Sequence, residues 1–287
     1  MRLGISGTLL PDDIRDLTPE AARTLRSWGY TGVFTRLGGN DPLDPPSDAD
    51  CRRFRDILAD AGLDHYMATG YWQNLVHPDA GTRRRNVEVL CAGLRLAGRL
   101  GATCIDTGPG SMSATGPWSP HPENWAPWAE TNLVDSLGRA AEVAAEVGVR
   151  IHLEGHQYVT LRDAVITRRV VDAVGSPWVR VDMDPVNWIT LDTYYDTGAA
   201  IDEMFDTLGD RIGSGHSKDI SIWDRHTVHL DTVTTGQGAI DHQRYLQRLE
   251  ALDPDIYLIV EGCSTEDAPG VYSFLAGEAE RAGVRIG

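Results

Sequence analysis

The chain has little that would bind it to a membrane or to a nucleic acid. Its 287 residues contain no apolar run of the roughly 18 residues that a membrane-spanning helix needs. The first residues reach Pro11 before an apolar region forms, so no signal peptide is expected. Acidic residues outnumber basic ones by 42 to 26, and the formal charge of −16 opposes contact with phosphate backbones and anionic lipids. We therefore expect a cytoplasmic protein with neither a nucleic-acid nor a membrane partner.

Cysteine is scarce as well, and its spacing suggests neither a disulfide framework nor a thiolate metal site. The four cysteines are far apart and include no C-x-x-C pair, which is typical of buried thiols in a reducing compartment: Cys51, Cys91, Cys104 and Cys263. The chain also lacks any low-complexity tract, charge block or linker. Since α/β barrels of this length commonly form one unit, residues 1–287 are predicted to be a single domain.

Short apolar runs alternate with longer amphipathic patterns along the chain. The candidate strands are 2–6, 32–36, 64–68, 103–107, 150–154, 179–184, 211–216 and 256–261. The amphipathic stretches between them include 19–28, 83–100, 131–147, 161–174, 199–208, 241–252 and 269–282. Glycine stands just before several of the strands, where it marks the end of a helix: Gly29, Gly62, Gly101, Gly148 and Gly283.

Eight strands, each followed by a helix, predict an α/β fold, a single (β/α)8 TIM barrel. The competing fold is an open doubly wound sheet, which normally has a glycine-rich phosphate turn after its first strand. Residues 4–8 read Gly-Ile-Ser-Gly-Thr and do not match the G-x-G-x-x-G pattern of that turn. The tryptophan- and proline-rich segment 108–128 is predicted to be a loop on the catalytic face of the barrel.

Four of the late candidate strands end in a side chain that can bind a metal ion: Glu154, Asp184, His216 and Glu261. Barrel enzymes carry their chemistry at this end of the strands, and the alternation of strand side chains turns the three acids toward the barrel axis. A single acid at a strand end is more often a salt-bridge partner or a helix cap. Three converging carboxylates, however, need a cation to offset their repulsion. An oxygen-rich set with one nitrogen predicts one divalent ion per chain, Mn²⁺ or Mg²⁺, with Zn²⁺ or Co²⁺ as alternatives.

The sequence around these positions resembles a known family. The motifs are Leu153-Glu154-Gly155-His156, Asp184-Pro185-Val186-Asn187, His216-Ser217-Lys218-Asp219, Gly236-Gln237-Gly238-Ala239-Ile240-Asp241 and Val260-Glu261-Gly262. In this order they resemble the xylose isomerase-like barrel superfamily, and within it the sugar phosphate isomerase/epimerase branch, over essentially the whole chain. That branch includes ketose 3-epimerases, hydroxypyruvate isomerases, inosose dehydratases and lyases of keto-glycosides. The resemblance is therefore more specific for the fold and the metal than for the substrate.

The resemblance implies four metal ligands: Glu154, Asp184, His216 and Glu261. It also implies that Glu154 and Glu261 are the acid/base pair, and that the protein is a homo-oligomer. Asp184 is the implied ligand, rather than Asp182, because the family motif follows it directly. Asp182 is expected one layer deeper in the barrel, paired with Arg180 or Arg150.

His156 and Lys218 are the further catalytic candidates. His156 lies two residues beyond Glu154, where it could be a second base, a donor to a substrate hydroxyl, or a loop histidine bonded to the backbone. Lys218 is the only lysine in the chain, which otherwise uses arginine. An ammonium group can lose its proton whereas a guanidinium cannot, so Lys218 is expected to act near the substrate. An ion pair with Asp219 is the structural alternative.

Substrate contacts are predicted from residues near the strand ends. Asn187 is expected to hydrogen-bond a sugar hydroxyl, and Trp118 and Trp188 to form a wall against which a sugar ring stacks. Three more tryptophans could extend that wall: Trp125, Trp128 and Trp223. At the ends of the early strands the candidates for substrate contact are Arg36, Tyr71 and Asp106.

These residues predict a divalent-metal-dependent isomerase or epimerase of a ketose or keto-polyol. One glutamate would remove the proton α to a carbonyl, giving a metal-stabilised enediolate, and a second acid would return a proton. The same first step serves a lyase or dehydratase that carries out β-elimination on a 3-keto sugar, keto-glycoside or inosose. Two other classes are disfavoured: a DNA-repair endonuclease would need more histidines and a basic groove, and a non-catalytic sugar-binding barrel would not need four ligands. The sequence shows no basic cluster for a phosphate, so an unphosphorylated substrate is expected.

Overall fold

The computed structural model describes residues 1–37 and 45–287, and these residues form a closed barrel of parallel strands. The barrel strands are β1 (Arg2–Ser6), β2 (Gly32–Arg36), β3 (Asp64–Thr69), β4 (Cys104–Thr107), β5 (Arg150–Leu153), β6 (Val179–Met183), β7 (Ile212–Ser217) and β10 (Tyr257–Val260). Around the barrel they follow the order β1, β10, β7, β6, β5, β4, β3, β2. The predicted (β/α)8 barrel is confirmed, and the open doubly wound sheet is excluded because β1 pairs with β10.

Helices follow the barrel strands and surround the barrel. They are α1 (Pro19–Ser27), α2 (Asp48–Ala61), α3 (Ala80–Leu100), α4 (Pro127–Val147), α5 (Ala164–Val174), α6 (Thr197–Leu208), α7 (His242–Leu252) and α8 (Ala268–Ala282). Left-handed glycines end several of them, as expected from the sequence: Gly62, Gly101, Gly148 and Gly283. Glycine adopts this conformation without the steric cost that a Cβ atom brings. No helix in the described ranges is both long and apolar enough to cross a membrane.

Two elements were absent from the sequence-based prediction. Helix α2 begins at a capping box, in which Ser47 and Asp50 exchange hydrogen bonds with each other's backbone N–H groups. The second element is an antiparallel hairpin inserted after β7, formed by β8 (Asp219–Ile222) and β9 (Leu230–Val233). Asp219 fastens the base of this hairpin by accepting hydrogen bonds from the N–H groups of Gly236 and Ile240 and by contacting His242 Nε2 at 3.0 Å.

The apolar core is divided by the barrel wall. Inside the barrel lies a small cluster of buried side chains: Phe34, Tyr66, Met67, Cys104, Tyr257 and Ile259. The larger cluster fills the space between the strands and the helices. Towards the carboxyl ends of strands β4 to β7 the barrel interior becomes polar, although the side chains there are still buried. A buried polar layer needs internal partners, so the residues there must satisfy or neutralise each other.

Candidate active site

Backbone pairing fixes the ends of the strands that carry the four predicted ligands. The N–H of Glu154 donates to the carbonyl of Thr107, and the N–H of Glu261 donates to the carbonyl of Ser217. Asp184 caps the short helical turn that follows β6, accepting a hydrogen bond from the N–H of Val186 at its Oδ1 atom. Each acid is therefore held at the same rim of the barrel by main-chain contacts to a neighbouring strand or turn.

The structure brings the four predicted ligands together. One ligand atom from each of Glu154, Asp184, His216 and Glu261 lies within 4.8 Å of the others, a grouping that could hold a metal ion. His216 is 0% exposed and Asp184 is 2% exposed, whereas the glutamates reach the surface of a cavity. Three oxygen donors and one imidazole nitrogen suit a divalent cation.

The ammonium group of Lys218 lies between three of these carboxylates. Its Nζ atom is 2.7 Å from Asp184 Oδ2, 2.8 Å from Glu261 Oε2 and 3.3 Å from Glu154 Oε1. The structural alternative, an ion pair with Asp219, is wrong, because Asp219 is used by the base of the hairpin. Lys218 is two residues after His216, and side chains alternate between the two faces of a strand, so both side chains point toward the barrel axis.

Burial and charge act against each other on the pKa values of this cluster. Burial would lower the pKa of Lys218, but Asp184, Glu154 and Glu261 raise it well above its usual value. Burial alone would raise the pKa of Glu154, yet the Lys218 charge and His216 lower it below the usual range. For Asp184 burial prevails over the Lys218 charge, and its pKa rises to about 6. Burial would lower the pKa of His216, but Asp182 and Glu261 raise it well above its usual value. Lys218 and His216 together therefore offset part of the cost of gathering these carboxylates.

Above the cluster is an open cavity of about 450 Å³. Its walls come from loops that follow several barrel strands, and one wall residue, Thr232, comes from the hairpin. Eight of the predicted site residues line it: Arg36, Asp106, Trp118, Glu154, His156, Asn187, Lys218 and Glu261. Asp184 and His216 lie behind this surface, where they can reach a bound ion but not the open cavity.

Among the predicted substrate contacts, Asn187 lies next to the ligand cluster. Its Nδ2 donates to Glu154 Oε1 at 2.8 Å, so its amide fixes the position of a carboxylate as well as facing the cavity. Arg36 is half exposed at the rim, with its Nε atom 3.1 Å from Asp12. Trp118 packs closely against Gly108, where a Cβ atom would lie only 2.4 Å from the ring.

The other predicted stacking residues lie outside the cavity. Trp188 is 6% exposed, and its indole N–H donates to the carbonyl of Leu161 in the core. Trp125 and Trp223 are exposed and stack with arginine side chains, and Trp128 packs on the main core. Tyr71 is 3% exposed and packs near Gly93 of α3. Of the six aromatic candidates, only Trp118 lines the cavity.

His156 faces the cavity in a stacked arrangement with Tyr158. The two ring centroids are 3.7 Å apart, and burial lowers the pKa of His156 to about 4, so the imidazole is neutral at pH 7. Its Nδ1 atom is buried and has no hydrogen-bond partner among the described residues. Such an atom is available to a ligand that enters the cavity.

The cavity wall also includes residues that were not singled out from the sequence, among them Trp72, Tyr158 and Thr69. Trp72 meets Trp118 edge to face, with centroids 6.5 Å apart. Thr69 ends β3 and donates to Asp106 Oδ2, which leaves Asp106 Oδ1 buried without a partner in the described chain. Thr69 could have been predicted as a cavity residue because it ends a strand. Trp72 and Tyr158 could not, because no periodic pattern in the sequence predicts the loop conformations that turn them inward.

Comparison with known proteins agrees with this architecture. A family model described as "Xylose isomerase-like TIM barrel" matches residues 22–285. No curated protein sequence matches the chain significantly.

Three solved structures are similar along nearly their whole length. A xylose isomerase-like TIM barrel protein from Mycobacterium smegmatis in complex with magnesium has 17% identity and a TM-score of 0.70, covering 98% of this chain and 97% of that one. The 3-keto-D-glucoside 4-epimerase of E. coli has 17% identity and a TM-score of 0.72, covering 96% and 99%. D-psicose 3-epimerase with D-tagatose, from Clostridium cellulolyticum H10, has 17% identity and a TM-score of 0.70, covering 98% and 96%. The family match spans most of the sequence, and the chain belongs to the xylose isomerase-like TIM barrel family.

Proposed function

We propose that the protein is a divalent-metal-dependent isomerase or epimerase of an unphosphorylated ketose or keto-polyol. The observation that carries this proposal is the convergence of Glu154, Asp184, His216 and Glu261 within 4.8 Å at the floor of a polar cavity. Lys218 contacts the three carboxylates, and a divalent cation would offset the rest of their repulsion. The similar sugar epimerases of the same fold support the choice of substrate class.

The donor set fits a divalent cation. Asp184 Oδ2 is held 2.7 Å from Lys218 Nζ, and His216 Nδ1 is a buried atom without a hydrogen-bond partner in the described residues. The four residues together offer the oxygen-rich coordination that Mn²⁺ and Mg²⁺ accept. When bound, such an ion would polarise a substrate carbonyl and its neighbouring hydroxyl, which acidifies the proton on the carbon between them.

Glu154 and Glu261 are the groups that would move this proton. Both line the cavity, and each has a carboxylate oxygen within 3.3 Å of Lys218 Nζ. One glutamate would take the proton from carbon, and the other would return a proton to the opposite face or to the adjacent carbon. Asn187 holds Glu154 Oε1 through a 2.8 Å hydrogen bond and so limits the directions from which that carboxylate can act.

The cavity walls favour a sugar without a phosphate group. Trp72 and Trp118 offer flat apolar surfaces, while Asp106 and His156 offer polar atoms that lack partners within the described chain. Only Arg36 and Lys218 carry a fixed positive charge among the described lining residues, and each already contacts a carboxylate. Assembly into a homo-oligomer, the single-domain organisation and a cytoplasmic location stay predictions from the sequence.

The isolated protein is expected to contain about one divalent ion per chain, and chelation should remove its activity and lower its melting temperature. A bound ion stabilises the folded state by mass action, and its loss leaves the carboxylates with Lys218 as their nearest cation. Elemental analysis and thermal unfolding before and after EDTA treatment measure both effects. Metal-free protein whose melting temperature does not respond to Mn²⁺ would contradict the proposal.

Incubation of Mn²⁺-loaded protein with unphosphorylated ketoses and keto-glycosides in D₂O is expected to yield deuterated stereoisomers of unchanged formula. Abstraction and return of a proton at carbon introduces solvent deuterium in either an isomerase or an epimerase. NMR and mass spectrometry of the sugars detect the exchange and the product. Phosphorylated counterparts of the same sugars serve as matched controls and should exchange more slowly.

The same experiment separates the proposed isomerase from a β-eliminating lyase. The lyase remains a second candidate because the side chain of Lys218 lines the cavity. Its ammonium group could protonate a departing oxygen. An α,β-unsaturated product would overturn the isomerase in favour of the lyase. Absence of exchange with every sugar in the panel would contradict both reactions, since both begin by removing a proton α to a carbonyl.

A further inference from the structure

A chain of four buried polar side chains runs beneath the candidate metal site, across strands β5, β6 and β7. His152 Nδ1 is 2.7 Å from Ser214 Oγ, Ser214 Oγ is 2.7 Å from Asp182 Oδ1, and Asp182 Oδ2 is 2.8 Å from His216 Nε2. All four side chains are at most 2% exposed. Asp182 therefore contacts Ser214 and His216, and the expected pairing with Arg180 or Arg150 is wrong.

The chemistry of these groups fixes the direction of the two hydrogen bonds at Ser214. The single hydroxyl hydrogen of Ser214 is donated to Asp182 Oδ1, so the contact with His152 must use the N–H at His152 Nδ1 as donor. Asp182 Oδ2 lies 2.8 Å from His216 Nε2 as a close charged contact that lacks the alignment of a full hydrogen bond. A carboxylate oxygen can only accept, so this contact favours a hydrogen on Nε2 of His216.

This arrangement leaves the other ring nitrogen of His216 facing the site. Its Nδ1 atom is 3.6 Å from Glu154 Oε1 and 3.6 Å from Glu261 Oε2. The plane of the ring is also restrained by Phe34, which stacks on it with centroids 5.6 Å apart. Histidine ligands of metal ions commonly donate their second N–H to a carboxylate, which sets the tautomer and the direction of the ring.

We propose that Asp182, held in turn by Ser214 and His152, is a positioning residue that presents Nδ1 of His216 to the divalent cation. The inference rests on the metal site of the proposed function and adds a role for side chains that touch neither the ion nor the substrate. The two aspartates of one strand end then have separate tasks: Asp184 contributes a ligand atom, and Asp182 orients the ligand on the neighbouring strand.

Asp182→Asn is expected to weaken the affinity for Mn²⁺ by about 10- to 100-fold, the usual effect of removing the hydrogen-bond partner of a metal-binding histidine. Ser214→Ala should weaken it less, because Asp182 keeps its contact with His216. Isothermal titration of metal-free proteins with Mn²⁺ measures the affinities. Ser136→Ala is the matched control, since Ser136 Oγ is also buried and donates to the carbonyl of Leu75, far along the chain from these strands. Its affinity should equal that of the wild type.

Long-range ¹H–¹⁵N NMR of the Mg²⁺-loaded wild-type protein gives a second readout that needs no variant. His216 should retain a hydrogen on Nε2 and none on Nδ1, and His152 should carry its hydrogen on Nδ1. The reverse tautomer of His216 would overturn the inference, as would an unchanged Mn²⁺ affinity in both Asp182→Asn and Ser214→Ala. A wild-type protein that binds no Mn²⁺ would instead contradict the metal site itself and, with it, the positioning role. If Asp182→Asn does not fold, Ser214→Ala and the NMR spectrum decide.

Discussion

Replacing either Glu154 or Glu261 by glutamine is expected to lower kcat by at least about 100-fold, the usual loss when a general base is removed. Glutamine keeps the length of the side chain and one oxygen that can bind a cation, but its amide cannot accept a proton from carbon. Both residues line the cavity, and each contributes an atom to the four-residue ligand group. Steady-state kinetics on the sugar found by deuterium exchange, at saturating Mn²⁺, measure the loss.

The matched control is Glu130→Gln on α4. The carboxylate of Glu130 accepts hydrogen bonds from Arg169 at 2.8 and 2.9 Å and lies outside the cavity. The same chemical change there should leave kcat unchanged. Wild-type turnover in Glu154→Gln or Glu261→Gln would show that the residue concerned is not the base. If these variants bind Mn²⁺ as tightly as Glu130→Gln does, their lower kcat does not result from loss of the metal.

Lys218→Met is expected to lower the melting temperature of the metal-free protein by about 6 to 20 °C, and that of the Mn²⁺-loaded protein much less. Removing one partner of a buried ion pair costs about 3–5 kcal/mol, and each kcal/mol is worth about 2–4 °C in a chain of similar size. Lys218 Nζ lies within 3.3 Å of three carboxylates, and its side chain is 16% exposed. Methionine has a similar length without the charge, so the carboxylates lose their counter-charge until a cation binds.

Thermal unfolding in EDTA and in Mn²⁺ measures this difference. Arg248→Met is the matched control, because Arg248 also contacts two acids, Asp202 at 3.1 Å and Asp206 at 2.5 Å, on the outer helices. Surface ion pairs are worth about 0–1 kcal/mol, so this variant should show a small loss that does not depend on Mn²⁺. If Lys218→Met lowers the melting temperature equally with and without Mn²⁺, then Lys218 only packs against the site and does not neutralise its carboxylates.

The strands and the ligand group could be predicted from the sequence because both follow from local rules. Apolar runs next to glycine predict β1 and β2 with the same first and last residues as in the structure. The alternation of side chains along each strand directs Glu154 and Asp184 toward the barrel axis. Helix α2 was missed because its apolar stripe, centred on Phe54, is narrow in a highly charged segment. The parity that points His216 inward also applies to Lys218 and could have predicted its contact with the carboxylates.

The walls of the cavity could not be predicted in the same way. Trp188 follows a ligand directly in sequence, yet the turn after β6 directs its ring into the core against Gly155, where a Cβ atom would lie 2.6 Å from the ring. Trp72 was overlooked and lines the cavity. These directions depend on loop conformations that are set by distant contacts, and no periodic pattern in the sequence records such contacts.

The hairpin that follows β7 bears on how substrate preference can diverge within this fold. Asp219 ties both ends of the hairpin to the barrel through the N–H groups of Ile220, Gly236 and Ile240, and Thr232 of its second strand reaches the cavity wall. The tip between the two strands takes no part in these bonds. Insertions, deletions or exchanges at the tip can therefore reshape one side of the cavity over evolutionary time. Lys218, one residue before the anchored base, would keep its position. A different ligand could then be accommodated without rebuilding the charged cluster beneath it.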